Sequence, residues 1–229
     1  MNAGSAPTSV EKDPNAGLIR DFFVLDRETP QQSVNTLIEV ICTRLPTLGF
    51  SKNDIQVLTP MHNGLLGTNN LNEVLQERLN PTGEELRTKN KCFRVGDRVL
   101  QIKNDYDNDI YNGDIGWVTD ISGDSLFVQF DERTVLLSGG QLNDLELAYA
   151  ISIHKSQGSE YKAVIILLHK AHWIMLRRNL LYTAITRAKR FCCLIGSEWA
   201  METMAILIFF NEAFIPISYP TKSEITSSN

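Results

Sequence analysis

The sequence lacks several signatures that would fix a functional class at once. No G-x-x-x-x-G-K-[ST] motif occurs in its 229 residues, so there is no P-loop to cradle a triphosphate. The four cysteines form no C-x-x-C pair and no histidines stand at zinc spacing, so neither a disulfide framework nor any metal site is predicted. Apolar runs such as residues 205–210 are too short to span a bilayer, and residues 1–14 lack the apolar core of a signal peptide. We therefore expect no membrane partner and a reducing, cytoplasmic compartment.

Basic charge is scarce overall but concentrated in one stretch. The formal net charge is −5, which at first argues against a nucleic-acid partner. However, residues 148–190 carry eight basic residues and one acid, whereas residues 104–146 carry ten acids and one base. Because phosphate attraction acts within a Debye length of about 8–10 Å, a basic surface can bind phosphate on an acidic protein. The basic stretch is a candidate phosphate-binding surface, and the acidic stretch is not.

The hydrophobic patterning predicts an α/β domain that is interrupted by short strands. In the first part, apolar runs alternate with helical patterns in the order β-α-β-α, which favours a parallel sheet with crossover helices; the segments are residues 22–25, 29–41, 54–60 and 68–79. Residues 93–142 are instead rich in short Val, Ile and Phe segments broken by turn signals such as Asn112-Gly113, which predicts a small antiparallel barrel. The α/β pattern then resumes, with strands at residues 148–153, 163–168 and 191–195, a helix over about residues 174–188 and a helical stretch after Ser197.

Two segments carry the residue types that chemistry needs. Residues 152–161, Ser-Ile-His-Lys-Ser-Gln-Gly-Ser-Glu-Tyr, leave a strand and offer hydroxyl, amide, imidazole and ammonium groups beside a glycine, which suits phosphate binding. A plain polar surface connection explains this segment equally well. In residues 178–190 the helical spacing places Thr183, Arg187 and Arg190 on one side, where a guanidinium could reach an anion. The alternative is that these arginines only complement the helix carboxyl end, which is the better interpretation for Arg190 and the weaker one for Arg187.

Four segments in order resemble the RecD-like branch of superfamily 1 DNA helicases, the family of the exodeoxyribonuclease V alpha subunit. AYAISIHKSQGSEYKAVII resembles helicase motif V, and RRNLLYTAITRAKR resembles motif VI. IQVLTPMHNGLLGTNNLNEVLQERLNP resembles the motif IV region, and FRVGDRVLQIKNDYDNDIYNGDIGWV resembles the start of an SH3-like insert. The resemblance implies an α/β fold, a RecA-like domain of the P-loop-NTPase type that lacks the P-loop and carries an inserted small SH3-like β-barrel.

The resemblance also implies a domain division. We expect a disordered leader over residues 1–18, the RecA-like domain over residues 19–92 and 144–212, the SH3-like insert over residues 93–143 and a tail over residues 213–229. The segment after Ser197 departs from the usual family ending, and Asn63 stands where family members often carry Arg or Lys.

Site residues follow from the resemblance position by position. Arg187 matches the arginine finger, the catalytic residue that reaches the γ-phosphate of ATP. Gln157, Gly158 and Glu160 match motif V positions that line the nucleotide cleft together with Arg187. The positions expected to face single-stranded DNA are Thr59, Pro60, His62, Asn63, Ser152, His154 and Lys155.

The function implied is the C-terminal part of an ATP-dependent DNA helicase that moves 5′ to 3′ and serves DNA repair and recombination. ATP and Mg would be bound mainly by a P-loop motor domain, in cis or in trans, and this chain alone is expected not to hydrolyse ATP. The alternative is a stand-alone or regulatory module that binds single-stranded DNA without ATPase activity.

Overall fold

The computed structural model describes residues 21–169 and 178–197, and the first of the three sheets in these residues is parallel throughout. Its strand order is β1-β12-β11-β2-β10, with bounds β1 Asp21–Asp26, β2 Ile55–Thr59, β10 Ala150–Ser152, β11 Tyr161–Leu168 and β12 Ala188–Gly196. Residues of β2 and most of β11 are buried in unbroken runs, as expected when both faces of a parallel sheet are covered. The predicted parallel sheet is confirmed.

Helices cover both faces of this sheet. Their bounds are α1 Pro30–Glu39, α2 Leu45–Thr47, α3 Thr68–Leu79 and α4 Arg178–Ile185, with a π-helical turn at Val40–Arg44 between the first two. The predicted start of α1 is confirmed: the Thr29 hydroxyl accepts from the Gln32 amide at 3.2 Å and the Gln32 side chain accepts from the Thr29 amide. One core contains Leu37 of α1 and Leu75 of α3, and the core on the opposite face contains Leu181 of α4.

A second, antiparallel sheet interrupts the α/β order between α3 and β10. Its order is β8-β7-β6-β5-β9, with bounds β5 Arg98–Gln101, β6 Ile115–Ser122, β7 Ser125–Phe130, β8 Arg133–Ser138 and β9 Leu145–Leu147. A hairpin of β3 (Glu85–Arg87) and β4 (Cys92–Arg94) precedes it. Alternate residues of β7 are buried in a separate core around Phe93 and Leu126, as an antiparallel sheet with one covered face requires. The predicted SH3-like insert is present.

Asp97 joins the insert to the α/β domain. Its carboxylate is fully buried and accepts from Gln76 Nε2 and Asn80 Nδ2 of the α3 end at 2.5 and 2.7 Å. It also accepts from the Arg94 backbone amide at 2.7 Å and from the Tyr149 hydroxyl at 2.8 Å. Four donors from three segments therefore converge on one side chain, which fixes the insert against the parallel sheet.

The helix predicted over residues 174–188 ends early. In the described part α4 ends at Ile185, and β12 begins at Ala188, which pairs in parallel with Tyr161. Arg190 therefore lies in a strand, and its predicted place on one helix side with Arg187 is wrong. Sheet pairing has overridden the helical periodicity of this stretch.

Some sequence expectations fall outside the described residues. These are the leader, the tail and the helical stretch after Ser197. Among the residues that are described, no helix is long and apolar enough to cross a membrane.

Candidate functional site

Residues 153–160, here called the crossover loop, run from one edge of the parallel sheet to the other. Ser152 at the end of β10 pairs with Thr59 at the end of β2, so the loop leaves from the carboxyl edge. It enters β11, whose Ala163 pairs with Ile55 at the start of β2, so the loop arrives at the amino edge. The loop begins with a 3-10 turn at His154–Ser156 and turns again at Gly158, whose φ is +84°. Only glycine adopts such a φ without strain, so Gly158 lets the chain reverse there.

The predicted DNA-facing residues lie at the carboxyl edge, and the structure buries three of them. Thr59 is fully buried and its hydroxyl donates to the Leu66 carbonyl at 2.6 Å. Pro60 is also buried. Ser152 is 3% exposed, and its hydroxyl accepts from the Lys155 amide at 3.3 Å. In this conformation these three residues shape the edge, and their side chains are turned away from solvent.

The other four predicted DNA-facing residues are accessible. His62, Asn63 and His154 are exposed, and Lys155 is partly buried. His62 Nδ1 lies 3.1 Å from the Thr68 hydroxyl at the start of α3. Lys155 Nζ lies 3.1 Å from Glu146 Oε2, so a phosphate would have to compete with that carboxylate.

A groove of about 790 Å³ opens beside this edge, and its lining includes basic residues that the sequence interpretation missed. His62, Ser152 and Lys155 lie in the lining, whereas the other predicted DNA-facing residues do not. The far wall comes from the β3–β4 hairpin with four cations, Arg87, Lys89, Lys91 and Arg94. The signal was available in the sequence, because residues 87–94 contain these four bases and no acid.

Arg187, the predicted arginine finger, lies at the amino edge beside the end of the crossover loop. Arg187 follows α4, and its backbone carbonyl accepts from the Tyr161 amide at 2.8 Å. Arg187 Nη1 donates to the Ser159 carbonyl of the crossover loop at 3.0 Å, which ties the two segments together. Gln157, Gly158 and Glu160 are exposed on the same loop. The structure therefore brings Arg187 to the end of the crossover loop next to Glu160, whereas Gln157 closes the turn at the start of the loop, where its amide donates to the His154 carbonyl at 3.3 Å.

The Arg187 guanidinium is engaged on more than one side. Nε donates to the Thr183 carbonyl at 3.1 Å near the end of α4, and Nη2 lies 3.2 Å from the Thr186 hydroxyl. Arg187 thus complements the helix carboxyl end, the alternative that the sequence favoured for Arg190. Arg190 instead places its guanidinium 5.3 Å from the ring centre of Phe50.

Contacts of charged side chains hold the start of β11 in place. Arg98 lies 5.5 Å from the ring centres of both Trp117 and Tyr161 and donates to the Ile55 carbonyl at 3.1 Å. Burial lowers the pKa of Arg98 and raises that of Tyr161. Nearby, hydrogen bonding from Lys162 lowers the pKa of Asp54 to about 2. These contacts connect the insert, the start of β2 and the start of β11.

The described residues offer only part of what a nucleotide requires. Arg187 supplies a partly exposed guanidinium, which is suited to a phosphate oxygen. Gly158 leaves open space around its Cα, so backbone could approach a ligand there. Within residues 21–169 and 178–197, no group of three His, Cys, Asp or Glu side chains could hold a metal ion.

Comparisons with known proteins place both parts of the chain. Residues 71–130 match the ATP-dependent RecD-like DNA helicase SH3 domain, and residues 147–195 match the UvrD-like helicase C-terminal domain. The ATP-dependent RecD2 DNA helicase of Deinococcus radiodurans is 46% identical over 151 residues, which is 66% of this chain and 21% of that protein. The RecBCD enzyme subunit RecD of Mycolicibacterium smegmatis is 36% identical over 144 residues, or 62% of this chain and 25% of that protein.

Among solved structures, Bacteroides Pif1 bound to ssDNA aligns with 82% of this chain and 54% of its own, at a TM-score of 0.48 and 21% identity. The chain spans about a fifth to a quarter of the length of the curated relatives described above. The two domain matches and the sequence identity together show that this chain contains a RecD-like helicase SH3 domain and a UvrD-like helicase C-terminal domain, and that it is homologous to the RecD2 and RecD helicases.

Proposed function

We propose that this chain supplies the arginine finger and the single-strand contacts of an ATP-dependent DNA helicase that moves 5′ to 3′. ATP and Mg are held mainly by a P-loop motor domain, in cis or in trans, that closes on the amino edge of the parallel sheet. Single-stranded DNA lies along the carboxyl edge. The observation that carries the proposal is the crossover loop, because one short segment runs between the two edges.

The nucleotide side of the proposal rests on Arg187. ATP supplies a γ-phosphate whose transfer builds up negative charge, and a guanidinium offsets that charge in phosphoryl transfer. To reach a phosphate, Arg187 Nη1 must exchange the Ser159 carbonyl, 3.0 Å away, for a phosphate oxygen. That exchange releases a contact to the crossover loop, so the loop senses whether nucleotide is present.

The DNA side rests on the groove at the opposite edge. Lys155 belongs to the crossover loop, three positions after Ser152 of β10, and lies in the groove lining with His62. Their ammonium and imidazole groups suit the sugar-phosphate backbone, which carries no sequence information. Movement of the loop at Gly158 would therefore shift Lys155 relative to the strand, which is how nucleotide state changes the grip on DNA.

The alternative, a stand-alone or regulatory single-strand-binding module without ATPase activity, is not favoured. Such a module needs the carboxyl edge only, and nothing in it requires Arg187 to contact the crossover loop. Retained function in an Arg187→Ala variant would support that alternative.

The test is single-strand-stimulated ATP turnover by the longest natural polypeptide that contains these residues. Loss of an arginine finger lowers the rate of phosphoryl transfer by about 10³-fold or more, so we expect Arg187→Ala to lose turnover while still binding ATP. Arg190→Ala is the matched control. It removes an equal charge three positions further along the chain, from a side chain whose guanidinium lies over the Phe50 ring. Equal turnover in the two variants would refute the finger assignment.

A further inference from the structure

The turn of the β3–β4 hairpin, residues 88–91, forms the wall of the groove opposite Lys155. We propose that this hairpin turn is a second contact surface for the phosphate backbone of the single strand, with Lys89 as its principal contact. The inference rests on the proposed function, since it deepens the DNA side of that site. It adds residues that belong to none of the motifs singled out in the sequence.

The groove is bounded on two sides by different parts of the fold. On one side lie Ser152 and Lys155 at the carboxyl edge of the parallel sheet, with His62 before α3. On the other side lie residues 87–94 of the hairpin. The volume of about 790 Å³ leaves room for an extended chain between the two walls.

The hairpin turn is held in one conformation before any ligand arrives. The Thr88 amide donates to the Lys91 carbonyl at 2.8 Å, and the Lys91 amide donates to the Thr88 hydroxyl at 3.1 Å. Lys91 Nζ donates to the carbonyls of Asn143 and Leu145 at 2.7 and 2.5 Å, which anchors the turn to the segment before and within β9. A rigid turn loses little conformational entropy when it binds, so it is suited to contact a flexible strand.

Lys89 is the cation of this wall that is free to bind. Arg94 contacts Glu77 and Glu85, Arg87 contacts Glu85, and the Lys91 ammonium is used by backbone carbonyls. Lys89 is exposed, and the described part of the chain shows no hydrogen bond or ion pair for it. Its ammonium can therefore bind a phosphate without breaking an existing contact.

The chemistry of the groove favours a polyanion over a polypeptide. Its lining carries five cations, Arg87, Lys89, Lys91, Arg94 and Lys155, against three carboxylates, Glu73, Glu77 and Glu146. This balance is the reverse of the whole chain, whose net charge is −5. Phe93 is fully buried, so it offers no face on which a base or an apolar side chain could stack. The hairpin wall therefore fits backbone phosphates and not bases.

The experiment is fluorescence anisotropy of a labelled oligothymidylate with the full 229-residue chain at several salt concentrations. We compare Lys89→Ala and Lys155→Ala with Lys52→Ala, which removes an exposed lysine outside the groove. An exposed ion pair contributes up to about 1 kcal/mol, so we expect Lys89→Ala to raise Kd by roughly three- to fivefold. The slope of log K against log salt should fall by about 0.7, the value for one phosphate contact on a single strand.

The outcomes separate this inference from the function on which it rests. If Lys155→Ala weakens binding and Lys89→Ala behaves like Lys52→Ala, the hairpin contact is wrong and the proposed DNA site stands. If neither groove variant changes the affinity, the groove does not bind the strand, and both proposals fail. A wild-type chain that binds no oligothymidylate also overturns both.

Discussion

Removing the Asp97 carboxylate should destabilise the chain more than any exposed acid does. Asp97 is fully buried and accepts four hydrogen bonds. In the variant the Gln76 side-chain amide still donates to the Cys92 carbonyl and the Asn80 side-chain amide to the Val95 carbonyl. These two amides therefore lose only one of their two hydrogen bonds. The Arg94 backbone amide and the Tyr149 hydroxyl, in contrast, each lose the acceptor that the structure shows for them.

The cost follows from these two donors. A buried donor left without a partner costs about 1–3 kcal/mol, so Asp97→Ala should lower the free energy of unfolding by about 3–5 kcal/mol. Asp97→Asn keeps the shape of the side chain but replaces one acceptor oxygen with an NH2 group that faces other donors. We expect it to lower the free energy of unfolding by about 1–3 kcal/mol. Asp107→Ala, an exposed acid of the same insert, should change the free energy of unfolding by less than about 0.5 kcal/mol.

Equilibrium urea denaturation followed by far-ultraviolet circular dichroism measures these differences. The urea concentration at the midpoint should be highest for Asp107→Ala, lower for Asp97→Asn and lowest for Asp97→Ala. A midpoint for Asp97→Ala equal to that of Asp107→Ala would refute the claim that Asp97 fixes the insert to the parallel sheet.

Two further predictions concern the parallel sheet. The Lys162 contact holds the pKa of Asp54 at about 2, below its usual 3.8, so its stabilisation is present above about pH 4 and is lost as the pH falls through about 2. Because Lys162 is 60% exposed, we expect only about 1 kcal/mol, and thermal melts of Asp54→Asn and wild type should converge on acidification. Gly196→Ala should cost about 3 kcal/mol or more, since a Cβ there would lie 1.8 Å from the Leu168 carbonyl oxygen. Gly140→Ala, which meets nothing within 4 Å, is the control; equal melting temperatures for the two glycine variants would contradict this account.

Local signals in the sequence were sufficient for much of the parallel domain. Thr29, Pro30 and Gln32 predict a helix start because capping depends on neighbours in the chain, and the structure has that capping box. The pattern over residues 68–79 predicts α3, which runs from Thr68 to Leu79. Turn residues and short apolar segments likewise predict the inserted barrel.

Features that depend on distant partners could not be predicted in the same way. Residues 186–190 continue a helical pattern, but Ala188 pairs with Tyr161, which is distant in sequence, and the chain becomes a strand. The ion pair of Lys155 with Glu146 and the contact of Arg187 with Ser159 also depend on the folded sheet. The sequence identifies Lys155 and Arg187 as candidate site residues. Whether their side chains already contact other protein groups depends on tertiary packing.

We propose that the crossover loop couples nucleotide binding at Arg187 to the affinity for the single strand. The most direct test measures oligothymidylate affinity, with and without a non-hydrolysable ATP analogue, in the longest natural polypeptide that contains these residues. We predict that the analogue changes the affinity of wild type by about fivefold or more, the lower end of typical coupling between sites. In Arg187→Ala this change should disappear while the affinity without nucleotide is kept. A nucleotide-dependent change of wild-type size in Arg187→Ala would contradict the account.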